Sequence, residues 1–226
     1  MNSTRIIVCG ARGRMGQLLV QCAKEDPELE LVGTIDSGDD LNAIVDNADV
    51  VIDFTTHEAT LPSAEIATSH GKALVIGTTG HNDEEQTHIR ETVRGIPVVW
   101  SSNFSTGVNV LFHLTRRAGE LLRGSTVEIA ETHHTKKKDA PSGTAKSLAR
   151  ILEKIGMTNI PIHSERTGDV VGDHTVRFST PDETLELTHR ALDRATFARG
   201  ALRAAKWVIT QEPGIYDMQD VLGLKK

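Results

Sequence analysis

Two adjacent histidines, three lysines and an Asp-Ala-Pro-Ser-Gly-Thr turn crowd into ETHHTKKKDAPSGTAKSLAR, residues 131–150. Neighbours on a strand point to opposite sides, so His133 and His134 divide their roles unless the strand ends there. One can face a reacting ring while the other contacts a substituent. Lys137 follows four residues after His133. Pro141-Ser142-Gly143-Thr144 then reads as a helix start. The N–H groups of Gly143 and Thr144 at such a terminus suit a carboxylate. Histidine and lysine beside them suit an anionic substrate and a proton transfer. Competing readings exist: Lys136 and Lys138 as a solvated charge run, Ser142 as a mere cap, and the histidine pair as metal ligands with His163, His174 or His189. No HExxH or facial-triad spacing accompanies the pair, and a lysine so close would repel a cation, so no metal is expected.

A second chemistry-bearing stretch is GARGRMG, residues 10–16, with the spacing Gly10-x-x-Gly13-x-x-Gly16. Glycines permit close backbone approach, and the following helix N-terminus favours phosphate. Asp36 ends the next apolar run, 20 residues beyond Gly16, where an acid meets the adenosine ribose of NAD. The competing reading of Asp36 is a turn aspartate. Asp36 would repel a 2′-phosphate and Arg12 or Arg14 would offset that, which leaves NADH and NADPH both open. Gly77-Thr78-Thr79-Gly80 and Ser101-Ser102-Asn103-Phe104 follow further apolar runs and are small enough to approach a nicotinamide ribose or carboxamide.

The elements that must position these residues are legible. Apolar runs at 5–9, 29–35, 49–54, 73–76 and 97–100 alternate with helical patterns at 15–24, 58–70 and 83–93. Such alternation predicts βαβ units and a parallel sheet covered on both faces. After residue 103 the texture changes. A helix over 108–122, a strand over 126–132 and a helix over about 144–155 precede strands near 164–166, 174–179 and 184–189. Strands in series predict an antiparallel or mixed sheet. A helix over 197–209 follows, and GIYDMQDVLGL has no periodicity long enough to assign. The fold class is α/β: a Rossmann dinucleotide-binding domain plus an α+β substrate and oligomerisation domain with a mixed sheet. The expected domains are 1–106, completed by 194–226, and 107–193.

Composition excludes several function classes. The 226 residues are 38% hydrophobic and 25% charged, the balance of a globular chain. Aromatics at 4% argue against base-stacking platforms. A net charge of −6 and a pI of about 5.9 argue against a broad phosphate-binding face, so no nucleic-acid partner is expected. Cys9 and Cys22 are too few for a disulfide framework. No apolar run approaches the ~20 residues of a membrane span, and no signal-peptide pattern opens the chain, so a cytoplasmic protein without a membrane partner is expected.

Taken together, GARGRMG, VVIDFTTHEAT, VIGTTG, SSNFSTGVN, ETHHTKKKDAPSGTA, GDHTVRF, LTHRALDRATFARGALRAAKWV and GIYDMQDVLGL resemble the 4-hydroxy-tetrahydrodipicolinate reductase (dihydrodipicolinate reductase) family in order and over nearly the whole chain. The resemblance implies NAD(P)H-dependent reduction of a small dicarboxylate in lysine and diaminopimelate synthesis. It implies that His133 is the proton donor or acceptor and Lys137 a proton donor. It places His134, Gly143 and Thr144 on the substrate carboxylates. Gly10, Ala11, Arg12, Gly13, Arg14, Met15, Asp36, Gly77, Thr78, Thr79, Ser101, Ser102, Asn103 and Phe104 match its cofactor segments. It further implies a homotetramer formed through the second domain's sheet, and a C-terminal segment that returns to the first domain. Ser37 stands where some members carry a basic residue, which tilts the cofactor toward NADH, and Lys136 replaces a third histidine. Two other readings remain: another dehydrogenase of this architecture, such as an aspartate or homoserine dehydrogenase, and a non-catalytic dinucleotide sensor.

Overall fold

β1 (Thr4–Cys9) turns Ile6 and Val8 to one side and Ile7 and Cys9 to the other, and all four are buried. A strand with period-two side chains buries both sets only when both sheet faces are covered. The computed structural model describes residues 3–225. α1 (Arg14–Glu25), β2 (Leu29–Ile35), β3 (Val50–Asp53), α2 (His57–Ser69), β4 (Ala73–Ile76), α3 (Asp83–Thr92) and β5 (Pro97–Trp100) follow in order. α3 starts on a capping box, in which Asn82 accepts from the Glu85 N–H and Glu85 accepts from the Asn82 N–H.

A second compact unit spans Thr106–Arg194. It contains α4 (Thr106–Leu121), β6 (Thr126–His133), α5 (Gly143–Lys154), β7 (Ile162–Arg166), β8 (Gly172–Ser179) and β9 (Thr184–Ala191). The strand order is β7-β6-β8-β9, with β6–β7 parallel and the other two pairs antiparallel. The sheet is mixed because α5 carries the chain back over it, as a parallel pair requires. Val127 and Ile129 of β6 pack with Leu148 and Leu152 of α5 and with Val176 and Phe178 of β8.

The chain then rejoins the first unit through α6 (Ala195–Val208), β10 (Gly214–Tyr216) and α7 (Met218–Val221). That unit holds a six-stranded parallel sheet of order β10-β5-β4-β3-β1-β2. One face is covered by α1 and α6, the other by α2 and α3. β10 is the piece that periodicity left unassigned: three residues are too short for a pattern, and only its pairing with β5 (Ile215 with Val98) defines it. The strand order reverses between β1 and β3, and a cleft outside their carboxyl ends is where an open α/β sheet binds ligands.

Candidate active site

In the first unit, Gly10 follows β1 with φ +79, and a Cβ there would lie 2.3 Å from the Phe54 carbonyl oxygen. A Cβ on Gly16 would lie 2.0 Å from the Gly10 oxygen. The turn therefore hugs both the next loop and its own helix in a way only glycine allows. Gly13, the cap of α1, has no side chain to close the helix start, so the first-turn N–H groups can face an anion. These features fit a dinucleotide pyrophosphate. Asp36 accepts from the Arg12 backbone N–H through both oxygens, at 3.1 Å each. It lines a cleft of about 640 Å³ together with Gly10, Gly13, Ser37, Phe54 and Ile66. Arg12 and Arg14 are exposed, while Ala11 and Met15 pack partly against the core.

The two other loops expected to meet the cofactor differ in what they offer. Thr78 is buried, and its hydroxyl bonds the Asp53 carboxylate at 2.9 Å. Asp53 also accepts from Thr55 at 2.5 Å and from Thr60 at 2.8 Å. Burial pushes the Asp53 carboxyl up, against these three hydroxyls. Asp53 thus ties the loop after β3 to the loop after β4, and Thr78 has only its backbone to present. Gly77 stands against the Phe54 ring, and Thr79 is exposed. Phe104 is buried with its ring 5.6 Å from that of Phe54. Ser101 donates to the Asn103 carbonyl at 2.9 Å, and Ser102 is exposed. A smaller cleft of about 260 Å³ lies beside Thr78, Thr79, Gly80, His81, Trp100 and Ser102.

In the second unit, β6 ends at His133. The alternation that buries Val127 and Ile129 also buries Glu131 and His133, and His134 falls in the turn beyond. The two histidines are therefore separated by the strand end. The His134 N–H donates to the Val170 carbonyl at 2.7 Å, and its Nε2 accepts from Arg194 at 3.0 Å. Its Nδ1 is buried without a protein partner, which fits a donor held for a ligand. Lys137 pairs with Asp139 at 2.7 Å, while Lys136 and Lys138 are exposed. Ser142 caps α5, accepting from the Ala145 N–H at 3.2 Å, with exposed Gly143 and half-buried Thr144 in the first turn.

Around His133 lies a buried polar cluster. Glu131 takes the Nδ1 of His133 at 2.5 Å, Arg166 at 2.8 and 2.9 Å, and the Ser142 N–H at 3.1 Å. Burial opposes the Glu131 charge, yet the bonds from Arg166, Ser164 and His133 outweigh it and hold the carboxyl down to about 2. Burial pushes the His133 pKa down, against Glu131, and Lys137 and Arg166 push the same way as burial. His174 stacks edge-on to His133 at 5.1 Å and meets the Ser142 hydroxyl at 3.1 Å. Burial, then His133, pushes His174 down to about 3. Among the described residues, no group of three or more His, Cys, Asp or Glu side chains is arranged to hold a metal.

The family models described as dihydrodipicolinate reductase, N-terminus and C-terminus, match residues 4–104 and 107–222. The chain belongs to the dihydrodipicolinate reductase family. The 4-hydroxy-tetrahydrodipicolinate reductase of Methanocorpusculum labreanum is 45% identical over 97% of this chain and 99% of its own. That of Akkermansia muciniphila is 45% identical over 98% of each. The dipicolinate-bound dihydrodipicolinate reductase from Paenisporosarcina sp. TG-14 shares the fold, with a TM-score of 0.84 at 21% identity over 96% of this chain and 98% of that one. An aspartate dehydrogenase from Thermotoga maritima shares the fold more distantly, at a TM-score of 0.52 and 13% identity over 91% of this chain and 96% of that one.

In this dihydrodipicolinate reductase family member, sequence spacing gives no role to Glu131, Arg166 or Arg194, and offers His174 only as a candidate metal ligand. A signal existed for Glu131. It sits two residues before His133 on the face that also carries Val127 and Ile129, and a charge at an inward position needs a partner. Arg166 and His174 reach the cluster only through strand register, which sets His133 beside Arg166 and Glu131 beside His174.

His174 also carries a stability consequence. Unfolded, it titrates near 6.5; folded, only near 3. Its contribution is full above the unfolded value and is lost as pH falls from 6.5 toward 3. The ceiling is about 1.4 kcal/mol per pH unit. Urea unfolding at pH 7 and pH 5 is expected to show a smaller loss of stability for His174→Gln than for the unchanged chain. Equal losses would show that His174 is not held neutral.

Proposed function

We propose that this chain reduces 4-hydroxy-tetrahydrodipicolinate to tetrahydrodipicolinate with NADH or NADPH, in lysine and diaminopimelate biosynthesis in the cytoplasm. Family membership supports the reaction. The observation that carries the reading at the residue level is a buried histidine, His133, beside an open helix N-terminus and a lysine. The reading gives the first unit to the cofactor and the second to the substrate.

The glycine turn 10–16, Asp36 and the loops at 77–79 and 101–104 would hold the dinucleotide, which when bound would supply hydride to ring C4 after the 4-hydroxyl has left as water with a proton from the adjacent ring carbon. Asp36 followed by Ser37, with no basic residue there, favours NADH. The Gly143 and Thr144 amides, His134 and Lys137 hold the two carboxylates of the substrate. Dipicolinate, the ligand of the Paenisporosarcina relative, is a dicarboxylate of this class. Hydride addition leaves an enamine-like ring carbon that needs a proton. His133 gives that proton, and Lys137 offsets the charge that develops.

The test is oxidation of NADH and NADPH, run in parallel, with substrate generated in place by its synthase. Turnover that is faster with NADH is expected. Cofactor binding without turnover would instead mark a dinucleotide sensor.

The proposed assembly is a homotetramer built on the second sheet. The face of that sheet away from α4 and α5 carries a row of charges, with Arg177 bonded to Glu128 and, at 2.6 Å, to Glu186. Light scattering is expected to give about four times the chain mass of 24.6 kDa. A single-chain mass would rule this out.

A further inference from the structure

The geometry points to Glu131 as the positioning residue for His133: clamped by Arg166, it fixes which imidazole nitrogen carries the proton and ties that imidazole to the carboxylate-binding start of α5. The inference rests on His133 acting in proton transfer and adds what makes it competent.

Glu131 is 2% exposed, and each of its oxygens is doubly engaged. Oε2 takes His133 Nδ1 at 2.5 Å and Arg166 Nη1 at 2.9 Å. Oε1 takes Arg166 Nη2 at 2.8 Å and the Ser142 N–H at 3.1 Å. Arg166 is itself pinned by the Asp139 carbonyl and the Glu165 carbonyl, at 2.6 Å each. With the Ser164 side chain added to these four donors, the carboxylate cannot rotate without breaking bonds in a buried site. The hydrogen bond at one ring nitrogen of a histidine decides the state of the other. Nδ1 therefore keeps its proton against Glu131, and Nε2 is the nitrogen that takes up and releases protons. On that side the wall is Gly172, where a Cβ would stand 3.0 Å from Nε2. The missing side chain leaves the reacting nitrogen room.

The same carboxylate grips the N–H of Ser142, the cap of α5. One group thus sets the distance between the proton-transferring ring and the first-turn amides of Gly143 and Thr144. The charged and titratable groups facing His133 are Glu131 on its own strand, Arg166 on β7, His174 on β8, and Lys137 with Asp139 in the following loop. Glu131 is the group that raises the basicity of His133 through a direct hydrogen bond.

The decisive measurement is nitrogen-15 NMR of histidine-labelled protein, read above the His133 pKa. The unchanged chain is expected to show His133 protonated on Nδ1 and bare on Nε2. In Glu131→Gln the amide can donate to Nδ1 and place the proton on Nε2, so kcat is expected to fall by about 10²–10⁴-fold. The kcat–pH limb of His133 should move, while KM for the substrate changes little. A bare Nδ1 in the unchanged chain would overturn the proposal, as would a Glu131→Gln variant with the original kcat and pH profile. If Glu131→Gln does not fold, the tautomer of the unchanged chain decides. No turnover by the unchanged chain would remove the reductase reading and leave the tautomer result standing on its own.

Discussion

His133→Gln is expected to lower kcat by about 10²–10⁴-fold, the usual cost of removing a general acid, with little change in KM. Glutamine keeps polarity and approximate reach, but it cannot carry a proton to a ring carbon. His134, Lys137 and the α5 amides, which bind the carboxylates in this reading, are untouched. The pH dependence has a definite sign. His133 must be protonated to donate, so kcat falls as pH rises through its pKa in the complex. Burial first, then Lys137 and Arg166, depress that pKa in the unliganded protein, and Glu131 opposes them. Two substrate carboxylates would raise it again. The alkaline fall should vanish in the variant. Steady-state NADH oxidation across pH checks both points, and near-normal turnover by His133→Gln would count decisively against the mechanism.

Gly200→Ala is expected to destabilise the first unit by about 1–3 kcal/mol or more, the range for overpacking a tight contact. A Cβ on Gly200 would lie 1.8 Å from the Phe104 carbonyl oxygen and 2.7 Å from its carbonyl carbon. Both are backbone atoms, so no rotamer change relieves the clash. Either α6 lifts from the sheet, exposing Ala198, Ala201 and Ala205 from the core, or the 101–104 loop moves. The second outcome would also raise KM for the cofactor, which that loop meets in the proposed reading. A thermal melt should fall by roughly 2–4 °C for each kcal/mol lost. An unchanged melting temperature with unchanged cofactor KM would refute the packing argument.

Much of this was legible in the residues. Residues 6–9, 73–76 and 97–100 are apolar at successive positions, and a strand buried on both faces has no other pattern to show. The glycine turn and Asp36 announced themselves by spacing, because chain direction and helix start are local properties. The block from Glu131 to Thr144 showed its histidines, lysine and helix cap for the same reason. Element ends shifted by a residue or two, as with α6 at Ala195–Val208 against the expected 197–209, since fraying ends carry little signal.

What the chain alone could not show is what depends on partners distant in sequence. β10 is a strand only because β5 leaves an edge for it. Gly200 matters only because Phe104, 96 positions earlier, passes under α6. Glu131 became a clamp when β7 brought Arg166 beside His133 and β8 brought His174 beside Glu131. Sequence spacing determines which side chains share a face of one element. Register between elements determines which charges meet in a buried site, and that register is settled by the packing of the whole sheet rather than by any local preference.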